Sequence, residues 1–277
     1  MRPQPTPLAL YHSLDERAAR HAARLDELNA RFYEAFASTF HQTRGFGWRG
    51  WRGVLDLAPR RPLTVYDLGC GNGRLTELLS LVWCAEWGEQ MKRYVGLDRD
   101  LELLSYAEAR ETAWESQWGE WSWSTQTTRP ADSATLSIPP HLEMMGADWV
   151  TLFGVMHHIY SASARAELMS WASQHVAIDG VLSVSLWDFG AQERYQKKRL
   201  DWSSLHPPCD EELIEEGDWL LGWRGDRATP RFCHWMSRDE EQVWLDEVAR
   251  RAPHLSAPML TTHPHDGNRY WSWRRLR

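Results

Sequence analysis

At 277 residues and 43% hydrophobic content, the chain has room for one large α/β domain with extensions and is too apolar for a disordered one. A net charge of −7 excludes a uniformly basic, nucleic-acid-coating protein but not a local basic patch. Cys70, Cys84, Cys209 and Cys233 form no CxxC pair, and no stretch approaches membrane-spanning length, so we expect no metal site, no membrane association and a cytoplasmic location.

Residues 1–10 contain prolines and read as loose. Ser13-Leu14-Asp15-Glu16 fits a capping box, after which Leu14, Ala18, Ala22, Leu25, Phe32 and Phe36 recur at helical spacing, predicting one or two helices to about Phe40. The segment 42–52 mixes glycine, arginine and aromatics. It reads either as a loop over a ligand or as a surface connection into a helix near Trp51–Leu57. Residues 1–57 are thus expected to form a helical extension and a substrate-side lid, and residues 58–277 the main domain.

Val65 to Gly73 reads as a buried strand running into a glycine-rich turn. The following helix begins near Arg74 and is predicted to bury Leu75, Leu78, Leu79 and Val82. Gly69, Gly71 and Gly73 let the backbone approach a ligand, and the amides opening the helix point into the same space. Arg93–Asp98 looks like a second strand ending in an acid, which suits the hydroxyls of a ribose. A helix with Leu101, Leu103, Leu104 and Ala107 follows, and this order implies a parallel sheet with right-handed crossovers.

Trp114, Trp118 and Trp121 recur at helical spacing, and Trp121 to Thr127 alternates, so we expect a helix end followed by the third strand. Asp132 comes next, either beside an adenine amino group or in a plain turn. Ala147–Val155 is a buried fourth strand exiting through Met156–Tyr160, and the helix 162–177 buries Leu168, Ala172 and Val176. Asp179-Gly180 is predicted to turn into a fifth strand, Val181–Leu186, that exits at Trp187. Residues 190–230 look like an insertion with an acidic run, expected as a solvated face. Ser237 and Glu240 fit a second capping box, and Met259–Thr262 with Tyr270–Trp273 reads as a closing strand pair.

A dinucleotide fingerprint requires a third glycine where Arg74 stands, and no Gly-Lys-Ser/Thr ends the turn as in a phosphate loop. The run Gly-x-Gly-x-Gly directly after Asp67 instead resembles motif I of the class I S-adenosylmethionine-dependent methyltransferases. That resemblance implies a Rossmann-like fold with a mostly parallel seven-stranded sheet, helices on both faces and an antiparallel C-terminal strand pair. It also implies S-adenosylmethionine as cofactor, whose ammonium end suits Asp67. Asp98 and Asp132 match that family's ribose-binding and adenine-binding acids.

The resemblance narrows further. The stretch from Phe32 to Arg44, DLGCGNGR at 67–74, GVMHHI at 154–159, LSVSLW at 182–187, RFCH at 231–234 and HDGNRYW at 265–271 are similar to the tRNA wobble-uridine carboxymethyl methyltransferases. It covers most of residues 29–277. It departs at Cys233, where that family has an aromatic, and at Gly-Asn-Arg in place of aspartate-arginine. It implies methyl transfer to the carboxylate of 5-carboxymethyluridine, with tRNA as partner and a small zinc-binding activator subunit beside it. Arg44, His158, Arg231 and His234 match family positions that would orient the carboxylate, with Trp187 stacking on the base. A carboxylate is already nucleophilic at neutral pH, so orientation carries much of the rate. The alternative is a small-molecule O- or N-methyltransferase in which His158 acts as general base.

Overall fold

The computed structural model describes residues 14–45, 47–110, 116–120, 122–123, 136–137 and 146–277. The first helix, α1 (Glu16–Gln42), is a single element of 27 residues. Its N-cap is Asp15, which accepts the Ala18 amide at 2.8 Å; Ser13 of the expected capping box lies outside the described residues. A short α2 (Gly50–Leu55) precedes β1 (Leu63–Leu68), and α3 (Arg74–Leu78) continues into wider turns over Leu79–Glu86. Next come β2 (Met91–Asp98), α4 (Leu101–Glu108) and β3 (Ser116–Glu120). The chain goes on through β4 (Ala147–Leu152), α5 (Ala162–Gln174) and β5 (Val176–Trp187). The remaining elements are β6 (Asp218–Trp223), β7 (Asp226–His234), α6 (Arg238–Arg251), β8 (Met259–Thr262) and β9 (Asn268–Arg274).

The main sheet runs β8-β9-β5-β4-β1-β2-β3. Strands β5, β4, β1 and β2 are parallel, and β9 and β8 close the sheet antiparallel, which makes a six-stranded body. Segment β3 adds backbone pairing along β2 at the far edge. The third strand therefore begins at Ser116, and Trp118 falls in it; the expected helical reading of the tryptophans fails there, while Trp114, Trp121 and Asp132 lie outside the described residues.

Alternation along each strand sends side chains to two cores. Tyr66, Leu68, Val150, Leu152, Leu182 and Val184 pack with α1, α5 and α6 on one face. Val65, Trp149 and Val181 meet α2 and the α3 segment on the other, around Trp51, Leu75 and Trp83. Strand β5 starts earlier than expected, at Val176. The register jumps from Ala147–Val176 to Trp149–Val181, so Asp179-Gly180 forms an irregularity inside the strand.

Residues 199–234 fold as a second, antiparallel sheet of Arg199–Leu200, β6 and β7. The tight turn at Arg224 and Gly225, both with positive φ, joins β6 to β7. Part of the acidic run is on the surface, where Arg17 pairs with Asp210 and Glu212. Asp218, expected in solvent, is instead buried because His234 and the Glu215 amide supply it with donors. Among the described residues, no helix is long and apolar enough to cross a membrane.

Candidate active site

The turn after β1 carries Gly69, Gly71 and Gly73 at φ of 77°, 54° and 72°. A side chain in this left-handed region costs roughly 1–2 kcal/mol, which is why glycine recurs here. The amides of Gly69 and Cys70 both donate to the Leu97 carbonyl, at 2.7 and 3.0 Å, and tie the turn to β2. Asp98 at the end of β2 accepts the Gly71 amide on one oxygen at 2.7 Å and the Asp100 amide on the other at 3.0 Å. Burial pushes its carboxyl up to about 6, against the opposing pull of those two amides.

Asp67 lies below the turn and is buried. Its oxygens accept the hydroxyls of Tyr94 at 2.6 Å and Thr151 at 2.7 Å, while burial raises its pKa. Asn72 donates to His41 at 3.0 Å, and its buried Oδ1 has no hydrogen-bond partner. A Cβ added to Gly71 would meet nothing within 4 Å, so the loop opens into free space.

That space is a cavity of about 290 Å³ along the carboxyl edge of β2, β1, β4 and β5, roofed by α1 and the loop after it. Five arginines (44, 74, 99, 194 and 231) and three aspartates (67, 98 and 266) line it. The cavity thus carries a formal excess of two positive charges in a chain of net charge −7. The Arg44 guanidinium lies over the rings of Phe40 at 4.4 Å and Trp223 at 5.7 Å. Arg231 lies over Phe32 at 5.0 Å and Trp187 at 5.2 Å.

Both arginines keep a buried Nε without a hydrogen-bond partner. Among the described residues neither forms an ion pair with a carboxylate. Burial, then the charge of Arg231, pushes the Arg44 pKa down. Burial pulls the Arg231 pKa down too, but Cys233 and Tyr33 hold it above the ordinary value. Arg44 is therefore the guanidinium left short of compensation, and an anionic ligand beside it would supply the missing charge.

His158 also lines the cavity but is fully engaged. Its Nδ1 lies 3.1 Å from the Phe232 carbonyl and 3.2 Å from Asn29 Nδ2, and its Nε2 lies 3.0 Å from Tyr33 Oη. Asn29 Oδ1 accepts the Phe232 amide at 2.9 Å, locking α1 to β7. Burial, then Arg231, lowers the His158 pKa to about 3, so the ring is neutral and presents Tyr33 to the cavity.

Trp187 lines the cavity at the exit of β5, between the edges of His157 and Tyr195, with ring centroids 5.1 and 4.9 Å away. The sequence therefore places Arg44, Asp67, Gly69, Gly71, Asp98, His158, Trp187 and Arg231 around one space. Gly73 is not among the lining residues, and neither is His234. It stands three residues after Arg231 on β7, and an odd separation in a strand turns the side chain to the opposite face. There it binds Asp218 at 2.7 Å and Glu240 at 2.9 Å, with Arg165 completing the cluster through Glu215 at 2.8 Å and Glu240 at 2.7 Å. This is also why only half of the second capping box forms. Ser237 accepts the Glu240 amide at 3.2 Å, but the Glu240 carboxylate is taken by His234 and Arg165.

Potential metal ligands converge within 4.8 Å in two groups, His157-His158-Cys233 and Glu215-Asp218-His234. The first lies under the charge of Arg231, which opposes a cation, and the acids of the second are already held by His234 and Arg165. Tyr33, Asp266 and Asn268 line the cavity without having been singled out from the sequence. All three fall in stretches that carry the family resemblance, Phe32 to Arg44 and HDGNRYW at 265–271, but no role attaches to them there.

The family described as a methyltransferase domain matches residues 40–248. No curated protein matches the chain significantly. Among solved structures, the chain resembles the complex between the Haloferax volcanii Trm112 methyltransferase activator and the putative methyltransferase, with TM-score 0.55 and 12% identity over 90% of this chain and 97% of that one. A S-adenosylmethionine-dependent methyltransferase from Clostridium acetobutylicum gives TM-score 0.52 and 14% identity, over 88% of this chain and 99% of that one. CalS10, an amino pentose methyltransferase from Micromonospora echinaspora with bound S-adenosylmethionine, gives 0.50 and 16%, over 86% and 96%. At these identities the likeness establishes the fold.

Proposed function

The chain belongs to the methyltransferase-domain family and takes S-adenosylmethionine as its cofactor, and from that premise we propose that it methylates the carboxylate of 5-carboxymethyluridine at a tRNA wobble position. The observation that carries this reading is the pair of buried arginines in the cavity, Arg44 and Arg231, each with an unpartnered Nε and, among the described residues, no ion pair to a carboxylate.

The glycine turn and the donor set around it fit the cofactor. Asp98 would hold the ribose hydroxyls, Asp67 would favour the ammonium end, and the unpartnered Asn72 Oδ1 leaves an acceptor free beside the turn. When bound, the cofactor supplies an electrophilic methyl group on a sulfonium. The acceptor carboxylate would be the group that takes this methyl, with the cofactor's sulfur as the leaving group. No proton is lost, so no general base is required, and the neutral, fully bonded His158 agrees with that. The residues' work is to bind and orient: Arg44 and Arg231 grip the carboxylate, Trp187 offers a face to the base, and Tyr33 is held facing them.

The formal excess of two positive charges lining the cavity, in a chain of net charge −7, supports an anionic acceptor. The fold likeness to a structure solved with an activator supports a small activator subunit as partner. The test is incubation of the protein, with and without such an activator, with labelled methyl donor and tRNA carrying 5-carboxymethyluridine, followed by mass spectrometry of the nucleosides. The methyl ester is the expected product; label that enters only small acids in a parallel panel would refute the reading.

A further inference from the structure

On the far side of the cavity from the glycine turn, β9 begins with Asn268, which is paired in register with Trp187. Asn268 is 4% exposed, and its Oδ1 has no hydrogen-bond partner. The amide orientation is fixed, because its nitrogen donates to the Asp266 carbonyl at 3.2 Å. Turning the amide over would set two oxygens against each other. Asp266 is itself anchored, accepting the Gly50 amide and the Tyr270 hydroxyl, each at 2.8 Å. A rigid, buried acceptor is therefore presented without a donor.

A second unpartnered group adjoins the same tryptophan. His157 Nδ1 is buried without a hydrogen bond, and its ring meets Trp187 edge-on. The ring is neutral, since burial, then His158 and Arg231, push its pKa well down. A neutral imidazole carries one N–H, so Nδ1 can donate.

Sheet order separates these groups from the cofactor. The glycine turn and Asp98 stand at the ends of β1 and β2, whereas His157 stands at the exit of β4, Trp187 at that of β5 and Asn268 at the start of β9. An unmet acceptor and an unmet donor that both adjoin one tryptophan and line one cavity are complementary to the neighbouring N–H and C=O of a lactam ring.

We propose that Asn268 and His157 read the lactam edge of a uracil-type base: Asn268 Oδ1 accepts its ring N–H, and His157 donates to the neighbouring carbonyl. The inference rests on the carboxymethyluridine reading and deepens it, because it assigns base recognition to residues separate from the arginines that hold the carboxylate.

The experiment compares two anticodon stem-loop RNAs, one carrying 5-carboxymethyluridine and one carrying its N3-methyl counterpart, which lacks the donor. The full-length protein, with its activator if one is required, should use the N3-methyl RNA with kcat/KM lower by about 10- to 100-fold, the effect of leaving a buried acceptor unmatched. Asn268→Ala should lose a similar factor on the unmodified base and no longer distinguish the two RNAs. Unchanged cofactor binding in Asn268→Ala, measured by calorimetry, would show that the variant is folded. Equal use of both RNAs by the wild-type protein, or discrimination retained in Asn268→Ala, overturns the inference while leaving the carboxylate reading intact. Failure of both RNAs alongside methylation of a small acid overturns the carboxymethyluridine reading and the inference with it.

Discussion

Asp98 accepts the Gly71 amide at 2.7 Å, so the acid that ends β2 also holds the middle glycine of the turn after β1. One carboxylate thus serves both the shape of the cofactor loop and the charge beside it. Because burial raises its pKa to about 6, ionisation is lost in a range that leaves an ordinary aspartate untouched. A ligand that prefers the carboxylate binds fully above that value and less well as pH falls through it. We expect calorimetry with S-adenosylmethionine to show affinity falling below about pH 6. Asp98→Asn should bind weakly at all pH values and show no such limb.

The arginine pair predicts a different pattern. Arg231→Met removes the charge but keeps much of the stem, and should lower kcat/KM for the acceptor by about 10²-fold or more, in line with roughly 2–5 kcal/mol for a buried charged contact. Arg231→Lys should recover only part, since an ammonium lacks the planar fork. Cofactor affinity should change little in either, because Arg231 lies on β7, away from the glycine turn. A parallel loss of cofactor binding would mean that the arginine holds the fold together instead.

His158 is expected to leave no trace in the pH profile. Its pKa of about 3 keeps it neutral, so kcat/KM should show no histidine limb between about pH 5 and 8. Tyr33→Phe, which removes the hydroxyl bonded to His158 Nε2 at 3.0 Å, should lower kcat modestly, by about 10-fold at most. A limb near the ordinary histidine value that disappears in His158→Gln would favour the general-base alternative.

The cofactor side of the site was legible because strand, glycine spacing and acid are local: Asp67, Gly69, Gly71 and Asp98 are each read within a few residues of their strand ends. The acceptor side is assembled from distant segments. Arg44 reaches Arg231 only because Asn29 joins α1 to β7 through Phe232, and no periodicity in either segment announces that pairing. At Trp118 three tryptophans at helical spacing mask the strand signal of a short edge segment. At Asp218 a run of acids gives no sign that one member has a buried histidine opposite. His234 is separated from Arg231 by the alternation along a strand, which is visible in the sequence once β7 is recognised as one.

His234 supports stability, and its variants should separate stability from turnover. Burial and the charge of Arg165 push its pKa down, but the hydrogen bonds to Asp218 and Glu240 and the charge of Asp218 outweigh them and hold it above the ordinary value. A raised pKa in the folded state means that folding takes up a proton. The contribution is fully present below the unfolded value of about 6.5 and fades as pH rises through the higher folded one. His234→Asn keeps a similar polar volume but cannot become charged, and breaking a buried ionic contact of this kind costs about 3–5 kcal/mol. Thermal unfolding near pH 6 should therefore show a clear drop in Tm for His234→Asn, and the gap to wild type should narrow at alkaline pH. Turnover per folded molecule should stay near wild type below the unfolding temperature, because the side chain faces away from the cavity. A variant with wild-type Tm and lost activity would return His234 to the catalytic set.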